Sequence, residues 1–357
     1  MTITFTRRAL AVGSVLAATA LAVSACSSTE TPQNSSDTIV VSTFPFGVDQ
    51  MTEAIFDPFT KATGIKVKVD TGSNADRLSR LQLEGDKSGI DVMMISDTFA
   101  ALGDKDGLFQ KVDAAKIPEL ANIAEFAKDD SYTGPAYSYQ LNGVLFNKDK
   151  VSAKEAASWD LFSDASLKGR LALPNYAVTS GPLTVAGVAQ TFGKGATDVD
   201  TAFTKMHAWS PNILQFYSST TEFTNLLTQG EIYAGVALNG FATPLVKSDD
   251  QFAWTAPEKG RYMATNRAMI PTGATNVDGA NKFINFLLSQ ATQQSSAEIV
   301  GDLPVNLSAK LPQDLSAVVG DIAKDPSAHG YKTISPADFL PNRNEWTERF
   351  NREVIGQ

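Results

Sequence analysis

The sequence holds one cysteine, Cys26, and two histidines, His207 and His329, in 357 residues. One thiol allows neither a disulfide framework nor a thiolate metal cluster. So few histidines and thiols leave little from which to build a Ser-His or Cys-His nucleophile. No Gly-x-Ser-x-Gly, His-Glu-x-x-His or Gly-x-Gly-x-x-Gly word occurs. The net charge is −9, which argues against nucleic acid as a partner. After the first 25 residues there is no long apolar run, so no membrane span is expected beyond that point. No internal repeat is found, and the low-complexity tract is confined to Ser27–Asp37. Hydrophobic residues make up 43%, ample for a packed core, and the length suits two domains of about 150 residues each.

At the start of the chain, Arg7 and Arg8 precede an apolar run from Ala9 to Val23 that leads into Ser24-Ala25-Cys26. Basic residues, an apolar stretch and a small-residue site make a secretory signal over residues 1–25. Cysteine directly after Val-Ser-Ala resembles the lipobox of bacterial lipoproteins. That resemblance implies acylation of Cys26, cleavage before it, and attachment to a membrane by lipid. An ordinary secretory cut that leaves the thiol free is the alternative. Residues 26–37 contain SSTETPQNSSD and read as a flexible tether.

From residue 38 strand and helix signals alternate. Thr38–Ser42 is a β-branched run. Met51, Ile55, Phe56 and Phe59 share a helix face that Gly64 ends. Ile65, Val67 and Val69 alternate with polar residues as a strand. A helix bearing Leu78, Leu81 and Leu83 follows, capped by Ser73 or Asn74, and Ile90–Ile95 is a third strand. This order implies parallel strands with right-handed crossovers, and hence a doubly wound α/β lobe. A second unit repeats the character. Strands are expected at Gly143–Phe146 (after a tyrosine-rich loop), Gly169–Leu173 and Ile232–Val236. Helices are expected ending near Gly230, over Asn276–Leu288, and over Pro341–Val354 with Trp346 and Phe350 on one side.

Several words then fall in a telling order: Gly72-Ser-Asn-Ala-Asp-Arg-Leu-Ser-Arg-Leu81, Ile90-Asp-Val-Met-Met-Ile-Ser-Asp97, Gly107-Leu-Phe109, Asn142-Gly-Val-Leu-Phe-Asn147, Gln229-Gly-Glu-Ile-Tyr-Ala-Gly-Val236, Pro257-Glu-Lys-Gly260, Ile270-Pro271, Leu303-Pro-Val-Asn306 and Asn344-Glu-Trp-Thr-Glu-Arg-Phe350. In this order the chain resembles the bacterial extracellular solute-binding proteins of ABC importers, most closely the spermidine/putrescine-binding subgroup. The resemblance implies two doubly wound α/β lobes of the type 2 periplasmic-binding fold, joined by a hinge, with a ligand cleft between them. Lobe one would be residues 38–139 plus 265–305, and lobe two 140–264 plus 306–357. The implied function is capture of a small organic solute, a polyamine-like cation or related molecule, and its delivery to transmembrane permease subunits. The protein would be a monomer on the outer face of the plasma membrane or in the periplasm, without cofactor, resident metal or catalysis. The competing class is a secreted, lipid-anchored enzyme, of which a paired-carboxylate hydrolase is the form the sequence leaves open.

Ligands of open α/β sheets lie beyond the carboxyl ends of the strands. After the first strand these ends carry Thr43, Phe44 and Phe46; after the second, Ser73 and Asn74; after the third, Ser96 and Asp97. Tyr137 and Tyr139 flank the first crossing, two apart and on one face if extended. Ser180 follows the Leu173 strand, Asn239 the Val236 strand, and Asn266 sits near the return crossing. Ser73 and Asp97 also suit helix caps, and Phe44 and Phe46 also suit a core. Compared with the polyamine subgroup, Leu238 and Ala264 stand where tryptophans are implied and Asn266 where an aspartate is; Asp49 or Asp97 is the candidate replacement acid.

Overall fold

The computed structural model describes residues 37–356. The signal, Cys26 and nearly all of the tether fall outside them, and no helix among the described residues is long and apolar enough to cross a membrane. Eleven strands follow in order: β1 (Thr38–Thr43), β2 (Lys66–Thr71), β3 (Val92–Ser96), β4 (Phe109–Gln110), β5 (Ala136–Asn147), β6 (Leu171–Pro174), β7 (Ile213–Tyr217), β8 (Ala234–Leu238), β9 (Phe252–Thr255), β10 (Met263–Pro271) and β11 (Leu303–Pro304). The main path is β2-β1-β3-β10-β5-β8-β6-β7, with β4 against β10 and with β9 and β11 against β5.

The first lobe is built on parallel β2-β1-β3 and the second on parallel β8-β6-β7. The long strand β5 serves both. Its Ala136–Leu141 half pairs with β10 and its Asn142–Phe146 half with β8, both antiparallel. β10 returns the chain and pairs with β3. The crossings expected near residues 140 and 265 are therefore two neighbouring strands, and the α/β fold of two doubly wound lobes is as read from the sequence.

The first helical stretch, residues 48–63, contains a π-helical segment at Thr52–Phe56 and ends at Gly64 with φ 76°. A left-handed residue closes the helix here, a conformation that glycine adopts without strain. Met51, Ile55, Phe56 and Phe59 are all buried, as their spacing implies, and Phe59 meets Phe283 and Phe286 edge-on. Trp159, Phe162 and Trp209 pack as tilted ring pairs in the second lobe's core, and Trp254 is buried with its indole N–H on the Ala237 carbonyl at 3.1 Å.

Three local readings are corrected. Leu83 is 88% exposed: the helix Asn74–Glu84 buries Leu78 and Leu81, and the 3.6-residue period carries Leu83 to the opposite side. β2 is an edge strand whose Val69 is exposed. The tyrosine-rich segment before Gly143 belongs to β5 itself rather than to a loop, because β10 and β11 both offer it pairing edges.

Candidate functional site

Arg77, on the helix Asn74–Glu84, draws the carboxyl ends of three strands together. Its Nε donates to the Gly72 carbonyl (3.0 Å). One terminal nitrogen donates to the carbonyls of Ser42 (3.1 Å) and Met94 (3.0 Å), and the other to the Asn74 side-chain oxygen (3.0 Å). It is 1% exposed, and burial lowers its pKa to about 10. Phe44 lies over the guanidinium at 5.2 Å and stacks on Phe46 at 5.5 Å. Gly72 leaves room for this side chain; a Cβ there would sit 3.0 Å from Arg77 Cγ. The loops that follow β1, β2 and β3 are thus anchored on one cation, and all three face the gap between the lobes.

That gap holds a cavity of about 540 Å³, within the usual range for small-molecule sites. The first lobe contributes Phe44, Phe46, Ser73, Asn74 and Ser96. The crossing strands contribute Tyr137, Gln140, Ala264 and Asn266. The second lobe contributes Thr179, Leu238, Gly240 and Phe241. Val300, Gly301 and Asp302 close one end. Phe46 and Phe241, from opposite lobes, are both exposed.

Asp302 supplies the acid. Ser296 Oγ donates to its carboxylate at 2.9 Å, and the Ser138 hydroxyl also bonds it. Burial outweighs both and pushes the carboxyl up to about 6. Asn266 Nδ2 donates to Ser138 Oγ at 3.1 Å, so the return strand, the outgoing strand and Asp302 share one network. Burial also raises the Tyr137 phenol well above its ordinary range, with the Asp302 charge adding to the effect. Gln140 lines the same wall, and its Oε1 is buried without a hydrogen-bond partner.

Seven of the twelve residues singled out from the sequence line this cavity: Phe44, Phe46, Ser73, Asn74, Ser96, Tyr137 and Asn266. Ser73 is at the same time the cap of its helix, accepting from the Asp76 N–H at 3.1 Å. The other five lie off the cavity wall. Thr43 is buried and turns its hydroxyl to Met51 Sδ at 3.5 Å. Asp97 turns away to accept from the Thr265 N–H (2.9 Å) and the Thr98 N–H (2.7 Å). Ser180 donates to Asn142 Oδ1 at 2.6 Å, and Asn239 Oδ1 accepts from the Leu141 N–H at 2.7 Å.

Tyr139 donates its hydroxyl to the Ala323 carbonyl at 2.6 Å and packs edge-on against Phe126. Its parting from Tyr137 has a local cause. The register runs Asn266↔Ser138 and then Arg267↔Ala136, leaving Tyr137 as the extra residue of a bulge. A bulge re-aims a side chain and breaks the two-residue alternation.

Sequence reasoning placed Gln140 beside Tyr137 and Tyr139 at the first crossing, and missed Gly240, Phe241 and Asp302. Asp302 had a signal: a lone carboxylate between Val300 and Leu303. Asp49, one of the replacement acids considered, is exposed and does not line the cavity. Leu238 and Ala264, where the subgroup implies tryptophans, both do line it.

Ser96 and Thr179 also border a second cavity of about 290 Å³, where Phe99 and Tyr176 face Phe339, Arg343, Asn344 and Glu348 of the C-terminal segment. Phe339, Leu340, Ile334 and Pro336 of the C-terminal segment cover Asp97, Ala101 and Tyr132 and leave a void of only about 20 Å³. Arg343 reaches Phe99 of the first lobe at 5.8 Å.

Comparison with known proteins agrees with this geometry. The family described as bacterial extracellular solute-binding protein matches residues 54–327. A spermidine/putrescine-binding periplasmic protein of Haemophilus influenzae is 24% identical over 328 residues, covering 89% of each chain. One of Escherichia coli is 26% identical over 302 residues, covering 82% of each. The crystal structure of an ABC transporter protein from Clostridium perfringens superposes with a TM-score of 0.78 at 30% identity, over 88% of this chain and 99% of that one. The chain belongs to the bacterial extracellular solute-binding proteins and serves as the substrate-binding component of an ABC importer.

Proposed function

We propose that the cleft captures a small organic solute bearing an amine, a polyamine-like cation or a related molecule, and that the lobes close on it for delivery to the permease. The observation that carries this reading is Asp302, a carboxylate set in a wall with Phe44, Phe46, Tyr137 and Phe241. Ring faces and a carboxylate both favour an ammonium group. The names of the relatives, which bind spermidine and putrescine, support the same chemistry. The parts that close on each other are residues 38–139 plus 265–305 and residues 140–264 plus 306–357. Hinge closure around a solute requires only that the closed form bind it better than the open form. A paired-carboxylate hydrolase would need a second carboxylate across from Asp302; none lines this wall among the described residues.

The Cys26 lipid, in this reading, holds the protein at the outer membrane face. A thermal-shift screen with polyamines, thiamine, amino acids, phosphonates, sugars and ferric ion tests the ligand class. Stabilisation by an amine without turnover is expected; stabilisation by a sugar or ferric ion alone, or formation of product, overturns the reading. Cys26→Ala is expected to release the protein into the medium with its ligand affinity unchanged; retention on membranes after a salt wash removes the anchor from the account.

A further inference from the structure

We propose that the cleft selects a ligand with a single cationic nitrogen and a neutral, hydrogen-donating far end, in preference to a diamine or a zwitterion. This rests on the reading that the cleft holds an amine, and it goes further by counting the charges the wall can answer.

Among the described residues, Asp302 is the one charged side chain on that wall. Its carboxylate already accepts from the hydroxyls of Ser296 and Ser138, and it has capacity left for one ammonium. A second ammonium further along an alkyl chain meets Leu238, Ala264 and Phe241 and finds no counter-charge. Desolvating a charge without a partner opposes binding strongly. Among the described residues no lysine or arginine lines the wall either, so a ligand carboxylate would go unanswered as well. Arg77 lies behind Phe44 with its donors committed to strand-end carbonyls and Asn74.

The far end is read by Gln140. Its Oε1 is buried and without a partner, an arrangement that costs stability while the cleft is empty. It lies so close to the second lobe that a Cβ on Gly240 would come within 2.8 Å of it. An acceptor held at this junction of the two lobes suits a ligand hydroxyl or amide N–H. Meeting that donor would satisfy Gln140 while both lobes surround the ligand. Amino alcohols and amino amides combine the two ends.

Three probes of one chain length separate the possibilities: 5-amino-1-pentanol, cadaverine and 5-aminopentanoate, titrated calorimetrically into the full chain at pH 7.5. The amino alcohol is expected to bind tighter than either of the others by about tenfold or more, the scale of one unpaired buried charge. Asp302→Asn is expected to weaken amino alcohol binding by about tenfold or more, as loss of a charged hydrogen bond does, while its ligand-free unfolding midpoint at pH 7.5 does not fall, because burial disfavours the charged carboxylate. Gln140→Leu is expected to remove the preference for 5-amino-1-pentanol over pentylamine. Cadaverine binding as tightly as the amino alcohol overturns the single-cation inference and leaves the amine reading standing. If none of the probes binds, the amine reading falls and takes the inference with it. If Gln140→Leu keeps the hydroxyl preference, the assignment of the far end to Gln140 is wrong. The comparison of probes on the unaltered chain decides the charge count even if a variant fails to fold.

Discussion

Two buried arginines mark two halves of the gap between the lobes. Arg77 underlies the open half and has its nitrogens bonded to Gly72, Ser42, Met94 and Asn74. Arg267 lies behind the covered half. It is stacked on Tyr132 at 3.4 Å and donates to the Gly134 carbonyl, while its Nε and other terminal nitrogen are buried without partners. The same residue type builds a floor in one place and is left half-satisfied in the other. The covered half can tolerate this because packing holds it: Phe339 and Leu340 close over Asp97 and Tyr132. The open half has no such cover, so its loops need the fully bonded guanidinium to keep their shape without a ligand.

This contrast is open to measurement. Phe339→Ala should cost about 3–5 kcal/mol of stability, the usual result of truncating a buried phenylalanine, and leave ligand affinity unchanged. Denaturant unfolding and calorimetry together check it, and a matching loss of affinity would erase the division into halves. Arg77→Met should cost about 3 kcal/mol, since it strands carbonyls that had charged donors, and should weaken binding as Phe44, Ser73 and Asn74 lose their support. Arg267→Met should cost clearly less, because two of its donors have no partner to lose. Equal losses for the two arginines would refute the comparison.

The carboxylates sharpen it further. Burial pushes Asp302 up to about 6 from an ordinary 3.8. A group raised in this way stabilises the fold at pH below its unfolded value, and that contribution fades as pH rises through 6. The ligand-free protein should therefore gain stability on acidification from pH 7 toward 4, while affinity for an amine falls over the same range because the carboxylate is being protonated. Melting curves and titrations across that window test the opposed signs, and Asp302→Asn should flatten both. The smallest effect belongs to Tyr139→Phe: about 1 kcal/mol of stability from the lost bond to Ala323, with affinity unchanged. A fall in affinity would put Tyr139 back on the cleft wall.

Much of this was legible in one dimension. The β-branched run of β1 and the alternation from Ile65 to Val69 marked strands, the Met51–Phe59 stripe marked a helix face, and the β-α-β order implied parallel strands whose carboxyl ends carry the site. That is why Phe44, Phe46, Ser73, Asn74 and Ser96 were identifiable: each lies at the carboxyl end of its strand or within three residues after it. The misses share a cause as well. Ser180 and Asn239 follow strands too, yet they are spent on Asn142 and the Leu141 backbone. Whether a polar side chain faces a ligand or a neighbouring strand depends on which strand lies beside it, and that pairing is non-local.

Local periodicity, turn residues and composition thus determined the kind of lobe, the loops that border the cleft and the absence of disulfide and triad chemistry. The tertiary structure alone decided which acid the cleft presents. Asp302 meets Ser138 across more than a hundred residues of chain, Asn266 joins them through that serine, and a bulge in β5 sends Tyr137 and Tyr139 to different neighbours. Register, bulges and long-range hydrogen bonds are set by the packing of whole strands, and no window of sequence contains both partners.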